Sequence, residues 1–258
     1  MTNLCRAIFL LVILCLLIYA MSSLPLLYYD SDLMSRLCKE APIIDLHGLT
    51  LLVGDLHASG ASNDIPRFRR LAEYTKTPSV SSLVVLGDLF GSRSDYDSLV
   101  AQSGDPEEAV RRLLDALGLL GQKLTVYLIL GDPVHDPQDL DLDVRFAETR
   151  FVSIGKCRVF HIHRLTMIAL HGDQAFGGPV GFTISILARN LLLERLWKER
   201  AGIPSDNWVI MAHTHVPGID YSARVANTGG WTETPLIRAP SGMGVVVDER
   251  ANISLVPF

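Results

Sequence analysis

The chain opens on an almost unbroken apolar run. From Ala7 to Tyr29 it reads AIFLLVILCLLIYAMSSLPLLYY, interrupted only by Ser22, Ser23 and Pro25, and residues 1–29 carry a single charge, Arg6. A helix of that length reaches about 34 Å, enough for a hydrocarbon core of roughly 30 Å. Tyr19, Tyr28 and Tyr29 suit the headgroup level, and Pro25 falls near the end, where it does least harm. The pattern predicts one membrane-spanning anchor over residues 1–29, with Cys5 and Cys15 in or beside lipid. A cleaved signal peptide is the competing reading, with Arg6 as its n-region and Ala7–Ala20 as its h-region, although no clear A-x-A site follows. Orientation stays open. Arg6 lies on one side of the run and Arg36 and Lys39 on the other, so the positive-inside rule favours neither direction.

Past Tyr29 the pattern changes. Residues 30–40 (DSDLMSRLCKE) read as a short polar tether, and residues 41–258 as one globular domain. Apolar, β-branched runs predict strands over Pro42–Leu46, Thr50–Gly54, Leu83–Gly87, Leu124–Gly131, Phe151–Ile154, Cys157–His161, Thr166–His171, Trp208–His213, Gly244–Val247 and Ile253–Pro257. Between them, Asp105-Pro106-Glu107-Glu108 opens a helix: Asp105 caps, Pro106 suits the first turn, Glu108 completes a capping box, and Gly118 or Gly121 ends it. Another helix starts at Asp64-Ile65-Pro66 and runs through Tyr74, and a third runs from about Phe182 to Glu199. Many strands with interspersed helices indicate an α/β or α+β sandwich.

Composition sharpens this picture. The 258 residues are 48% hydrophobic, and the mean hydropathy of +0.27 owes most of its excess to residues 1–29. A charged fraction of 20% is too high for a multi-span membrane protein. The apolar fraction is too high for disorder. With 23 Lys+Arg against 28 Asp+Glu, the net charge of −5 argues against a protein that coats nucleic acid. Four Cys in a chain of this length do not make a disulfide scaffold, and Cys157 reads as a packing residue.

The chemistry sits where strands end. Five junctions finish in acid or imidazole: LLVGDLH (Asp55, His57), LVVLGDLF (Asp88), LILGDPVHD (Asp132, His135, Asp136), MIALHGD (His171, Asp173) and VIMAHTH (His213, His215). Open sheets gather ligands at the carboxyl ends of their strands. A mixed Asp/His set without Cys suits Mn²⁺, Fe or Zn²⁺ rather than a thiolate zinc site. One such Asp is ordinarily a turn or cap residue; five junctions in order form a ligand set large enough for two metals.

These strings, in this order over residues 50–216, resemble the calcineurin-like metallophosphoesterase family, whose pattern is D-x-H, G-D-x-x-(D/R), G-N-H-(D/E), a His often in H-G-D, and G-H-x-H. The resemblance implies a four-layer fold, two β-sheets face to face with helices outside. It implies two divalent cations, Mn²⁺ first with Fe or Zn²⁺ as alternatives. Asp55, His57 and His215 would hold one, His171 and His213 the other, with Asp88 bridging and Asp132 standing in for the family's Asn. His135 would be the catalytic His, and a hydroxide between the metals would attack phosphorus in a phosphodiester, pyrophosphate or phosphomonoester. Three departures stand out. Gly91 occupies a place usually held by an acid or Arg, with Arg93 two residues on. Ala212 replaces a Gly. The Asn-His pair becomes Asp132-Pro133-Val134-His135, so His135 reaches the substrate only if that turn brings it back.

Other residues take lesser roles. Asp173 is expected to orient His171 rather than to bind metal. Arg67 and Arg93 are substrate-binding candidates; a solvated basic face is the plainer account of Arg67, Arg69 and Arg70. Asp45-Leu46-His47 repeats the DLH string but reads as the turn of a hairpin, and His161 with His163 as structural. The GDLF, HGD, HTH-x-P and Asn227–Trp231 strings look most like the branch of UDP-2,3-diacylglucosamine hydrolases, which cleave a pyrophosphate in a nucleotide-linked lipid. An anchor over residues 7–29 would place a lipid-linked substrate within reach. The altered Asn-His motif supports a rival from another class, a membrane-tethered binding or regulatory protein with a degenerate, non-catalytic site.

Overall fold

The computed structural model describes residues 31–59, 66–175, 185, 188, 190–232 and 242–258. The anchor expected over residues 1–29 lies outside them, as do Asp64, Ile65 and much of the helix expected from Phe182. Among the described residues no helix is long and apolar enough to cross a membrane.

Two mixed sheets carry the chain. The first has strand order β1 (Ile43–Leu46), β7 (Cys157–Ile162), β8 (Leu165–Leu170), β9 (Trp208–Met211), β11 (Val225–Asn227) and β10 (Gly218–Asp220). The second runs β13 (Ile253–Pro257), β12 (Met243–Val247), β2 (Leu49–Val53), β3 (Val80–Leu86), β4 (Thr125–Ile129), β6 (Thr149–Ser153) and β5 (Asp143–Phe146). Within it β2, β3, β4 and β6 are parallel. Such central strands are buried on both faces, which is why they read as continuous Val/Leu/Ile runs rather than alternations. β3, VSSLVVL, shows this, with its last five residues all buried.

Three apolar clusters separate four layers. Leu51, Val53, Leu83, Val85, Val126 and Leu128 meet α2 (Pro66–Thr75) and α4 (Pro106–Ala116) on one side of the second sheet. The opposite face, through Leu52, Val84, Leu86 and Ile129, meets Phe160, Ile162, Met167 and Ile210 of the first sheet. The far face of the first sheet, through Ile168, Leu170 and Val209, packs on Met34 and Trp197. The expected sandwich of two facing sheets with helices outside is therefore present.

Local signals explain the helices. Asp105 caps α4 by accepting from the Glu107 N–H, Pro106 takes the first turn, and Gly118 follows at φ 70°. The expected capping box does not form, because Glu108 turns instead to Arg111 and Arg112. Ala109, Val110, Leu113 and Leu114 give α4 one buried stripe. A helix that the strand-and-helix pattern did not foretell, α3 (Arg93–Ser103), starts at Ser92, whose hydroxyl accepts from Asp95 N–H.

Four expectations are corrected. Of the polar tether expected over residues 30–40, the described residues 31–40 are instead helical (α1), with Met34 and Cys38 buried to 1% and 3% exposure. Their i, i+4 spacing was hidden among charges. Cys157 is more than packing, since it forms a disulfide with Cys38 that ties α1 to β7. Asp45-Leu46-His47 is not a hairpin turn: β1 pairs with β7 and β2 with β3 and β12, so the chain changes sheets at Gly48. Finally, the helix expected from about Phe182 to Glu199 is interrupted: Ser185 and Ala188 are helical, Asn190 and Leu191 form a bend, and α5 spans Leu192–Arg200. The short β5, β10 and β11 were also not expected.

Candidate metal centre

Parallel strands in both sheets stop at one edge of the sandwich. β2 runs into Asp55 and His57, β3 into Asp88, β4 into the loop of Asp132–Asp136, β8 into His171, and β9 into His213–His215. The chain must turn sharply to present these side chains. Its φ is 52° at Asp55, 45° at His57, 51° at Asp88, 62° at His213 and 56° at His215. Side-chain-bearing residues seldom occupy this left-handed region, and Asp and His enter it more readily than most. Gly87, at φ 77°, is required before Asp88, because a Cβ there would lie 2.6 Å from His171 Nδ1.

The donor atoms form three overlapping groups: Asp55, His57 and His215; His57, Asp88 and His135; and Asp55, Asp88 and His171. Within each group the atoms lie within 4.8 Å of one another. His215 Nε2 is 3.2 Å from Asp55 Oδ1, and His171 Nε2 is 3.4 Å from Asp88 Oδ2 and 3.9 Å from Asp55 Oδ1. Imidazole orientation is fixed from behind. His171 Nδ1 donates to Leu86 C=O at 2.7 Å, leaving Nε2 toward the carboxylates. His135 repeats the device: Nδ1 donates to Gly91 C=O at 2.9 Å, and Nε2 stands 3.9 Å from Asp88. The Pro133-Val134 turn therefore does bring His135 back, with both His135 and Asp136 N–H groups bonded to Asp132 C=O. Its ring meets that of His57 edge-on, centroids 4.4 Å apart.

Charge is divided accordingly. Burial works against ionisation of Asp55, yet His215 and His171 outweigh it and hold its pKa well below the usual carboxylate range. Asp88 is likewise lowered, burial being overcome chiefly by His171. Burial also opposes charge on His171 and His215, but Asp88 and Asp55 respectively raise them above the ordinary imidazole value. His57 goes the other way, lowered by burial.

The remaining expected residues are placed as follows. Asp132 donates its N–H to Asp88 Oδ1 at 2.9 Å, while its own Oδ1 accepts from Val134 N–H. It belongs to none of the three donor groups. Nor does His213, whose ring lies 5.1 Å from that of His171 and whose N–H donates to Asp55 Oδ2 at 2.7 Å. Asp173 is buried near His171 and adds to its positive bias. Arg93 is occupied elsewhere, with Asp97 at 3.0 Å, Asp139 at 3.9 Å and the Tyr96 ring beneath. Arg67 lies on α2 with its stem beside Gly242.

Asp136, counted in the sequence with the strand-end ligand set, belongs to none of the three donor groups and serves backbone instead. Asp136 is 0% exposed, and its carboxylate accepts from the N–H groups of Asp88, Leu89 and Gly131 at 2.8, 3.0 and 2.8 Å. Burial, then the charge on Asp88, push its pKa up to about 6. It ties the Asp88 loop to the Gly131 loop. The signal was its place after His135, where the resembling pattern carries an acid.

The residues fit divalent cations. Asp55 Oδ1 and His171 Nε2 are buried without a well-formed hydrogen bond, facing only imidazole and carboxylate atoms at 3.2 to 3.9 Å, which is costly for polar atoms unless something else satisfies them. Carboxylate oxygens and imidazole nitrogens without thiolates are a donor set for Mn²⁺, Fe or Zn²⁺.

No family model matches the sequence. A UDP-2,3-diacylglucosamine hydrolase of Shewanella piezotolerans is 30% identical over 126 residues, 48% of this chain and 48% of that protein. The chain thus spans about half the length of the curated relative it matches. Among solved structures, Vps29 from Entamoeba histolytica complexed with Zn²⁺ is similar at a TM-score of 0.46 and 16% identity, over 81% of this chain and 97% of that one. Yfce, a phosphoesterase from E. coli, is similar at 0.43 and 16%, over 81% and 98%.

Proposed function

We propose that this chain is a metal-dependent phosphoester hydrolase. The observation that carries the reading is the convergence of Asp55, His57, Asp88, His135, His171 and His215 from strand ends of both sheets into overlapping donor groups. Asp55, His57 and His215 would hold one cation. His171 would hold a second, Asp88 would lie between the two, and His213 and Asp132 would complete the set. When bound, such cations supply an activated water near neutral pH and neutralise charge on phosphoryl oxygens. The chain's own part is positional. Leu86 C=O aims His171, Asp136 fixes the Asp88 loop, and Gly91 C=O presents His135 Nε2, a group suited to protonating a leaving oxygen. No Ser or Cys nucleophile is needed, because phosphoryl transfer depends on positioning and charge stabilisation.

For the substrate, the hydrolase relative and the apolar run at residues 7–29 together support a nucleotide- or lipid-linked pyrophosphate or phosphodiester presented at a membrane. The full chain in detergent, loaded with Mn²⁺, is expected to hydrolyse an aryl phosphodiester or a UDP-linked lipid, and Asp88→Ala to remove the activity. Metal binding without turnover of either substrate would leave the non-catalytic, membrane-tethered reading in its place. Membrane association of the full chain, lost on deleting residues 1–30, tests the anchor.

A further inference from the structure

α5 contributes a buried acid that the chemistry above does not use. Glu194 is 1% exposed. Its Oε1 accepts from Asn227 Nδ2 at 2.8 Å and from Thr214 Oγ1 at 3.3 Å, while Oε2 is buried with no partner. Thr214 is the residue between His213 and His215. The contact therefore lands on the one turn that carries two of the expected ligands, both in left-handed backbone. Asn227 closes the ring by donating also to Ala212 C=O at 2.7 Å and approaching Thr214 Oγ1 at 3.0 Å. With His213, Thr214 and Gly172, Glu194 also lines a cavity of about 10 Å³, room for a single water.

Packing alone does not account for this arrangement. Trp197 of α5 and Leu191 just before it already dock this segment on the first sheet through an apolar cluster. An acid buried beside them, with one oxygen unbonded, works against the fold unless its other oxygen is needed. The needed contact is the one to the His213–His215 turn.

We propose that Glu194 is a positioning residue of the metal centre, setting through Thr214 and Asn227 the angle at which His213 and His215 face a bound cation. Burial favours the neutral carboxyl form, and either form keeps Oε1 as the acceptor that braces the turn. The proposal rests on the metal reading of the site, and it extends that site to a helix outside both sheets.

The test uses the full chain, stripped with chelator and titrated with Co²⁺, read by calorimetry and by the visible absorption spectrum of the bound ion. Glu194→Leu is expected to weaken Co²⁺ binding by about 10- to 100-fold and to change the spectrum. Glu194→Gln keeps the Oε1 acceptor and is expected to match the wild type in both. A Glu194→Leu protein with wild-type affinity and spectrum overturns the proposal. Where Glu194→Leu fails to fold, Thr214→Val removes the hydroxyl from the other end of the same contact and is expected to shift the spectrum; a wild-type spectrum there is equally fatal. Failure of the wild type to bind Co²⁺ would overturn the metal reading itself, and this proposal with it.

Discussion

At the scale of the residue, the site is made by backbone that most side chains avoid. Asp55, His57, Asp88, His213 and His215 all have φ between 45° and 62°, and left-handed backbone costs a non-glycine residue roughly 1–2 kcal/mol. Such strain persists where the surroundings enforce it and the side chain is wanted. His57 offers a clean test, because it is half-buried and its ring meets chiefly other imidazoles. His57→Gly is expected to be more stable than His57→Ala by about 1 kcal/mol in urea unfolding, the reverse of the order at an ordinary position. If the alanine variant is the more stable of the two, the backbone there is not strained. Asp136 carries the opposite lesson, a side chain whose work is to serve backbone. Replacing it with Ala strands three buried N–H donors, at about 1–3 kcal/mol each. Asp136→Ala should therefore lose at least about 3 kcal/mol, and a loss under about 1 kcal/mol would show that water replaces the carboxylate.

At the scale of the element, legibility follows from burial. β2, β3, β4, β8 and β9 were readable within a residue or two at most ends, because strands buried on both faces must be apolar throughout. β5, with residues DVRF, and β10, with GID, are short, half-exposed strands at sheet edges, so little in their composition separates them from loop. α3 escaped because only Tyr96 among its residues is buried, so no apolar stripe marks it. The strand-end acids and imidazoles of the site were legible as a set, Asp136 among them, whereas the service of Asp136 to backbone was not, since two of its three amides, those of Asp88 and Leu89, lie far off in sequence. α1 shows how a covalent link changes an element's meaning. Ten residues with two buried apolar side chains read as a tether, yet Cys38 joins Cys157 across a separation of 119 residues. Closing so long a loop constrains the unfolded chain, and removing such a link typically costs 2–5 kcal/mol, about 3 as a central expectation. The Cys38→Ser, Cys157→Ser double variant is expected to unfold at lower temperature than the oxidised wild type and to ignore reductant. Equal melting of the two under non-reducing conditions would mean that the pair contributes nothing to stability.

At the scale of the whole molecule, two of the three donor groups bridge the two sheets. Asp55 and Asp88 leave the seven-stranded sheet, His171 and His215 the six-stranded one, and every close carboxylate–imidazole approach among these four crosses between them. A cation at these atoms would therefore tie the sheets together and stabilise the fold by linkage, since the unfolded chain offers no preformed site. The metal-free protein must use protons instead. His171 and His215 have raised pKa values, so their contribution is fully present below the ordinary imidazole value of about 6.5 and is lost as pH rises through the raised folded values. Asp55 and Asp88 are lowered, so theirs is present above the ordinary carboxylate value of about 3.9 and fades as pH falls through the depressed ones. Metal and protons compete for the same nitrogens, and apparent metal affinity should climb as the imidazoles lose their protons. The gap in melting temperature between Mn²⁺-loaded and chelator-treated protein is thus expected to widen steadily from pH 6 upward. A gap that stays constant across that range would show that His171 and His215 give up no protons to the metal, and that the cation, if bound, sits elsewhere.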